Sequence, residues 1–159
     1  MLLIAFPVSD ITVARYLSAR GVPYLGIDLD KLDQLAADRL IAQLREWTSG
    51  PLLVGVSGDY EKCEVFRSLG TLDQILYWDK SSDCLWTSFV LPVGDSKTMK
   101  IRMAGMRLGA KENRSPVVAE LMEGERLAGF IFRPGTESET GIYDYDAMDD
   151  FLDSVGVDG

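Results

Sequence analysis

A strand, a helix and a second strand occupy residues 1–30 with only short turns between them, and this unit restricts the chain to few folds. Leu2-Leu3-Ile4-Ala5-Phe6 is a continuous apolar run, the pattern of a strand buried on both faces in a parallel sheet. Pro7 lacks the N–H a ladder needs, and Ser9 or Asp10 can accept from the free amides of a helix start. From Ile11 the side chains of Val13, Tyr16 and Leu17 share one helical face, with Arg15 and Arg20 off it. Gly21 stands just past the last turn, where a left-handed backbone favours glycine. Residues 23–28 form the second apolar strand. A helical crossover this short joins a right-handed parallel pair.

The alternation continues. Asp28 and Asp30 precede a helix over 31–47, in which Leu32, Leu35, Ala36, Leu40, Leu44 and Trp47 recur at three- and four-residue spacing. Ser49-Gly50-Pro51 stops it, and 52–56 is a third strand. Ser57-Gly58-Asp59 turns into a short helix carrying Val65, Phe66 and Leu69, closed by Gly70. A fourth strand follows over 72–78, so the first eighty residues read β-α-β-α-β-α-β.

The second half is less regular. Residues 84–93 suit a strand or an exposed hairpin arm. Residues 116–122 begin a helix, with Ser115 as its cap and Pro116 in its first turn. Residues 129–132 make a short strand. Over 137–159 there are eight acids and no base, yet Met148, Phe151, Leu152 and Val155 keep helical spacing, so a packed amphipathic helix is expected. With no repeat and no long linker, 1–159 reads as a single α/β domain. The expected architecture is three-layer, with a mainly parallel, Rossmann-like sheet to which the second half adds one or two strands and a C-terminal helix.

Composition narrows the chemistry. The chain has no histidine, which removes Ser-His and Cys-His pairs, imidazole zinc sites and histidine bases. A formal charge of −9 opposes a general nucleic-acid or anionic-membrane surface. No apolar run approaches the roughly 20 residues a bilayer span needs. The start has no basic segment and Asp10 interrupts it, unlike a signal peptide. Two cysteines, Cys63 and Cys84, are too few for a disulfide framework, and a reducing cytoplasm is the expected setting.

In an open parallel sheet, ligands bind beyond the carboxyl ends of the strands. Here those ends carry Ser9 and Asp10, Asp28 and Asp30, Ser57, Gly58 and Asp59, and Asp79 and Ser81. Asp10, Asp28 and Asp59 are candidates to hold Mg²⁺, and also the ordinary caps of the helices that follow. Helix starts at Ser9-Asp10 and Ser57-Gly58 offer backbone amides to a phosphate. Neither G-x-G-x-x-G nor G-x-x-x-x-G-K-[ST] is present, so no standard dinucleotide or P-loop site is expected. Residues 97–114 carry six bases against Glu112 alone, which makes Arg102, Arg107 and Arg114 candidate clamps on a phosphorylated ligand. The competing reading is a solvated face, or a counterweight to the acidic C-terminal segment.

The stretch from Phe6-Pro7-Val8-Ser9-Asp10 through Thr12-Val13-Ala14 and Leu17 to Pro23-Tyr24-Leu25-Gly26-Ile27-Asp28 resembles two known beginnings over about thirty residues. It is similar to P-loop nucleotide kinases after their phosphate loop. With the loop glycines and lysine absent, that likeness implies an erased or repurposed site. It also resembles the domain preceding ATP-grasp modules, which implies shape and substrate contacts and not an ATP site of its own. Two functions stand as expectations. One is binding of a nucleotide or other phosphorylated small molecule at the carboxyl edge, with Mg²⁺. The other is a non-enzymatic acidic module, an accessory subunit or inhibitor, that meets a basic protein partner.

Overall fold

In the computed structural model, which describes residues 2–77, 85–90, 98–104, 117–123, 125–134, 136–139 and 142–157, the first half alternates as expected. Its elements are β1 (Leu2–Ala5), α1 (Ile11–Ala19), β2 (Tyr24–Asp28), α2 (Gln34–Trp47), β3 (Leu52–Ser57), α3 (Tyr60–Leu69) and β4 (Gln74–Tyr77). The second half adds β5 (Leu85–Val90), β6 (Thr98–Ala104), β7 (Val117–Glu123), β8 (Arg126–Phe132), β9 (Thr136–Glu139), β10 (Ile142–Asp144) and α4 (Asp146–Ser154).

Eight strands form one sheet in the order β4-β3-β2-β1-β8-β7-β6-β5, and β9 pairs with β10 in a separate ribbon. From β4 to β8 all neighbours are parallel; from β8 to β5 all are antiparallel. The chain is thus α/β with a mainly parallel mixed sheet and a C-terminal helix. A flat sheet would hold β4 and β5 seven strand spacings apart, roughly 34 Å. Their Cα atoms instead come within 8 Å. The sheet therefore curls on itself, and its three layers are helices, parallel strands and the returning antiparallel limb.

Strand order explains where the helices lie. Since β1 to β4 advance in one direction through crossovers of one hand, α1, α2 and α3 fall on the same face. Their buried side chains join those of α4 and of Leu3, Ala5, Leu25, Ile27, Leu53 and Phe132 in one core. The alternate residues Ile4, Val54, Val56, Leu76, Leu121 and Ile131 form a smaller core on the other face. Both faces are buried, as the unbroken apolar runs require.

Several expectations need correction. The second helix starts at Gln34, not Lys31. A 3₁₀ turn at Leu29–Lys31 takes up the strand end, and Asp33 caps the helix by accepting from Ala36 N at 2.7 Å. The buried stripe shifts accordingly to Ala37, Leu40, Ile41 and Leu44, leaving Leu35 and Trp47 exposed. In α3 the buried residues are Cys63 and Phe66, with Val65 and Leu69 outside. The helix expected over 116–122 is a strand. Val117 to Glu123 form β7, antiparallel to β8, and the pair Glu123↔Arg126 leaves only residues 124 and 125 between the two strands. The tertiary partner decides this: β8 is itself pinned parallel to β1, from Leu2↔Gly129 to Ala5↔Phe132. Part of the basic stretch is a strand, since β6 covers Thr98–Ala104. Ser115 and Pro116 lie outside the described residues.

Candidate functional site

The carboxyl edge of the parallel strands is built by short β–α turns, and each turn is held by an aspartate. Asp10 accepts from Val13 N (3.1 Å), Asp28 from Asp30 N (3.1 Å) and Asp59 from Glu61 N (3.0 Å). These carboxylates satisfy first-turn amides that the helices themselves leave open. Gly70 closes α3 with φ +65, the left-handed backbone expected of a helix end.

Between β2 and β3 the turns are tied together. Asp30 accepts from the Ser57 hydroxyl at 2.6 Å and from Gly58 N at 2.8 Å. Ser57, buried at the end of β3, also accepts from Asp59 N at 3.0 Å. Lys62 on α3 donates to the carbonyls of Leu29 (2.5 Å) and Leu32 (3.2 Å), closing the 3₁₀ turn. The amide and hydroxyl expected to receive a phosphate at Ser57-Gly58 are therefore already bonded to a carboxylate of the protein.

The crevice between β1 and β8 differs. Phe6 N donates to Phe132 O at 2.8 Å and Val8 N to Gly26 O at 2.8 Å, so the turn after β1 spans both neighbouring strands. Ser9 and Thr12 are exposed there, at the start of α1. Arg133 follows the last residue of β8 at the same edge; it is exposed and makes no ion pair among the described residues. The start of α4 lies alongside. Tyr145 stacks on Tyr16 with ring centroids 4.1 Å apart, and burial, then the charge of Asp10, pushes its phenol up.

Further along, α4 is clamped to α1. The Tyr16 hydroxyl donates to Asp149, and Arg20 pairs with Asp153 (2.6 Å) and Asp149 (3.5 Å). Burial foremost, then the bond to Asp149, pushes the Tyr16 phenol up to about 12. The bond to Asp153, outweighing burial, which acts the other way, raises the Arg20 guanidinium above its ordinary value. Among the described residues a counterweight to the acidic segment is Arg20 on α1, which lies off the apolar face of that helix.

The residues picked out from sequence are distributed as follows. Ser9, Asp10, Asp28, Ser57, Gly58 and Asp59 all lie at the carboxyl edge. Among the described residues no group of three or more metal-ligating side chains is placed to hold an ion, so Asp10, Asp28 and Asp59 serve there as caps. Arg102 sits on β6, opposite Trp86 and Met122, in the antiparallel limb. Asp79, Ser81, Arg107 and Arg114 lie outside the described residues. Cys63 is fully buried and burial raises its thiol, which keeps it protonated and unreactive. Arg133 is the addition the structure makes, and Asp30, already counted at the strand ends, proves to be the partner of Ser57 and Gly58. Arg133 was detectable as the first residue after a strand ending at this edge; nothing local marks Asp30 as the partner of Gly58. No family model, curated protein or solved structure matches the chain. No helix among the described residues is long and apolar enough to cross a membrane.

Proposed function

We propose that the protein binds a phosphorylated small molecule, a nucleotide first among them, at the carboxyl edge in the crevice between β1 and β8. The observation that carries this is Arg133, an exposed guanidinium just past the end of β8, without an ion pair among the described residues, at the same carboxyl edge as the turn that leads from β1 into α1. A guanidinium fork and first-turn amides are complementary to phosphate oxygens. Ser9 adds a hydroxyl, and Asp10 a carboxylate at the same edge for any Mg²⁺ that arrives with the ligand. The carboxyl ends of parallel strands are where such folds take ligands. Binding, not a reaction, is what these groups support. A cytoplasmic setting suits the buried free thiol of Cys63.

Thermal shift with ATP, GTP, NAD and sugar phosphates, each with and without Mg²⁺, tests it. At least one should raise the melting temperature, and Arg133→Ala should remove the rise. If none stabilises the wild-type protein, the proposal fails.

One observation favours the alternative, an acidic interaction module. Asp146 and Asp150 are exposed on α4, whose last turn carries no base. Replacing both with asparagine should then abolish capture of a basic partner, while Asp149 and Asp153 are left intact because they hold α4 to Tyr16 and Arg20. Unchanged capture would count against it.

A further inference from the structure

Ladder register places Gly26, Val54 and Gln74 in one row across β2, β3 and β4, with Asp28, Val56 and Leu76 in the row above, at the carboxyl mouth. Both rows face the inside of the curled sheet, with Val54, Val56 and Leu76 in its inner core. Gln74 is only 4 % exposed, yet neither its Oε1 nor its Nε2 hydrogen-bonds to another protein group among the described residues. Buried amides are bonded in nearly all folded proteins, because a dry one forfeits its hydration without return. Its neighbours in the rows, Val54 and Leu76, supply only apolar surface.

A carboxamide presents an acceptor and a donor side by side in one plane. Its complement is a flat group with adjacent donor and acceptor, and flanking aliphatic walls suit an aromatic ring. One row down from the mouth is two residues of strand, about 7 Å, so a ring that meets the amide must part the buried side chains of Val56 and Leu76. We propose that Gln74 reads a nucleobase-type heterocycle that enters the carboxyl mouth of the curled sheet, Oε1 accepting from an exocyclic N–H and Nε2 donating to the adjacent ring nitrogen or carbonyl. The inference rests on the carboxyl-edge reading above only for the side of entry. Along the wall β4 stands four strand spacings from β8, about 19 Å, and less across the curl. A ligand must therefore carry a phosphate chain to touch both Gln74 and Arg133.

The test is binding of free adenosine, guanosine, cytidine and uridine, with ribose and inorganic triphosphate as controls, followed by calorimetry and melting temperature. Wild type, Gln74→Met and Arg133→Ala are compared. One nucleoside should bind wild type and Arg133→Ala alike, and ribose should not bind. Gln74→Met, close in shape, should weaken that nucleoside roughly ten- to a hundredfold. Unliganded Gln74→Met should melt no lower than wild type, since the amide it removes is unpaired. The proposal is overturned if no nucleoside binds, if Gln74→Met binds equally well, or if unliganded Gln74→Met melts lower because the amide already has a partner. Inorganic triphosphate reports separately: its failure to bind through Arg133 refutes the phosphate reading and leaves the nucleoside result standing.

Discussion

Replacing Asp30 with alanine separates what holds the carboxyl edge together from what that edge can bind. Asp30 accepts from the Ser57 hydroxyl at 2.6 Å and from Gly58 N at 2.8 Å, and joins the turn after β2 to the turn after β3. A bond to a carboxylate contributes about 1.5–3 kcal/mol when dry. Asp30 is exposed, so water screens the charge and about 1 kcal/mol each is the better figure. Ser57 retains a contact with Asp59 O at 3.3 Å and recovers part of its share. The net loss is about 1.5 kcal/mol. At roughly 2–4 °C per kcal/mol for a domain of this size, Asp30→Ala should melt about 3–6 °C lower. Asn at the same position keeps one acceptor and should fall between. The same change frees Gly58 N and Ser57 at the start of α3, so inorganic phosphate should raise the melting temperature of Asp30→Ala more than that of the wild type. Differential scanning calorimetry with and without phosphate reads both effects. An unchanged melting temperature would show that Asp30 does not tie the turns. Equal phosphate effects on both proteins would show that its carboxylate does not occupy an anion position.

Other consequences can be measured in the same way. The Tyr16 phenol is raised above its ordinary 10.0 to about 12, so the fold favours the protonated form. That stabilisation is complete below pH 10 and lost as pH climbs toward 12. Tyr16→Phe should remove this alkaline step in a stability-versus-pH series and cost about 1 kcal/mol at neutral pH; a wild-type curve flat up to pH 12 would contradict it. Phe66→Ala should cost about 3–5 kcal/mol in urea unfolding, whereas Val65→Ala, one residue away but 48 % exposed, should stay within about 0.5 kcal/mol. Similar costs would refute the phase of α3. A Cβ at Gly129 would stand 1.9 Å from Leu2 O, so Gly129→Ala must push β1 from β8 and should cost at least about 2 kcal/mol; a neutral result would refute that pairing.

Local chemistry made much of the first half legible before any contact was known. A helix start depends on residues within about four positions, so Asp10 before α1, Asp59 before α3 and Gly70 after it were all readable. The apolar runs of β1, β2 and β3 declared strands buried on both faces, and Met148 and Leu152 declared the buried side of α4. The 3₁₀ turn after β2 moved the start of α2 by three residues, because a turn and a helix start carry the same Asp-rich signature.

The remaining features depend on partners far away in the chain. Val117 to Glu123 can follow either a helical or an extended path by local preference, and pairing with β8 selects the strand. Strand order, the curl that brings β4 to β5, and the single helical face follow from packing the whole sheet, which no window of residues contains. The candidate site divides the same way. Ser9, Asp10, Asp28, Ser57, Gly58 and Asp59 were placed at the carboxyl edge by counting strand ends. That Asp30 already fills the Gly58 amide, and that Arg20 takes the acids of α4, were decided by contacts spanning 28 to 133 positions. Periodicity and capping are properties of neighbours in sequence. The charges left for a ligand are those that tertiary packing has not already paired.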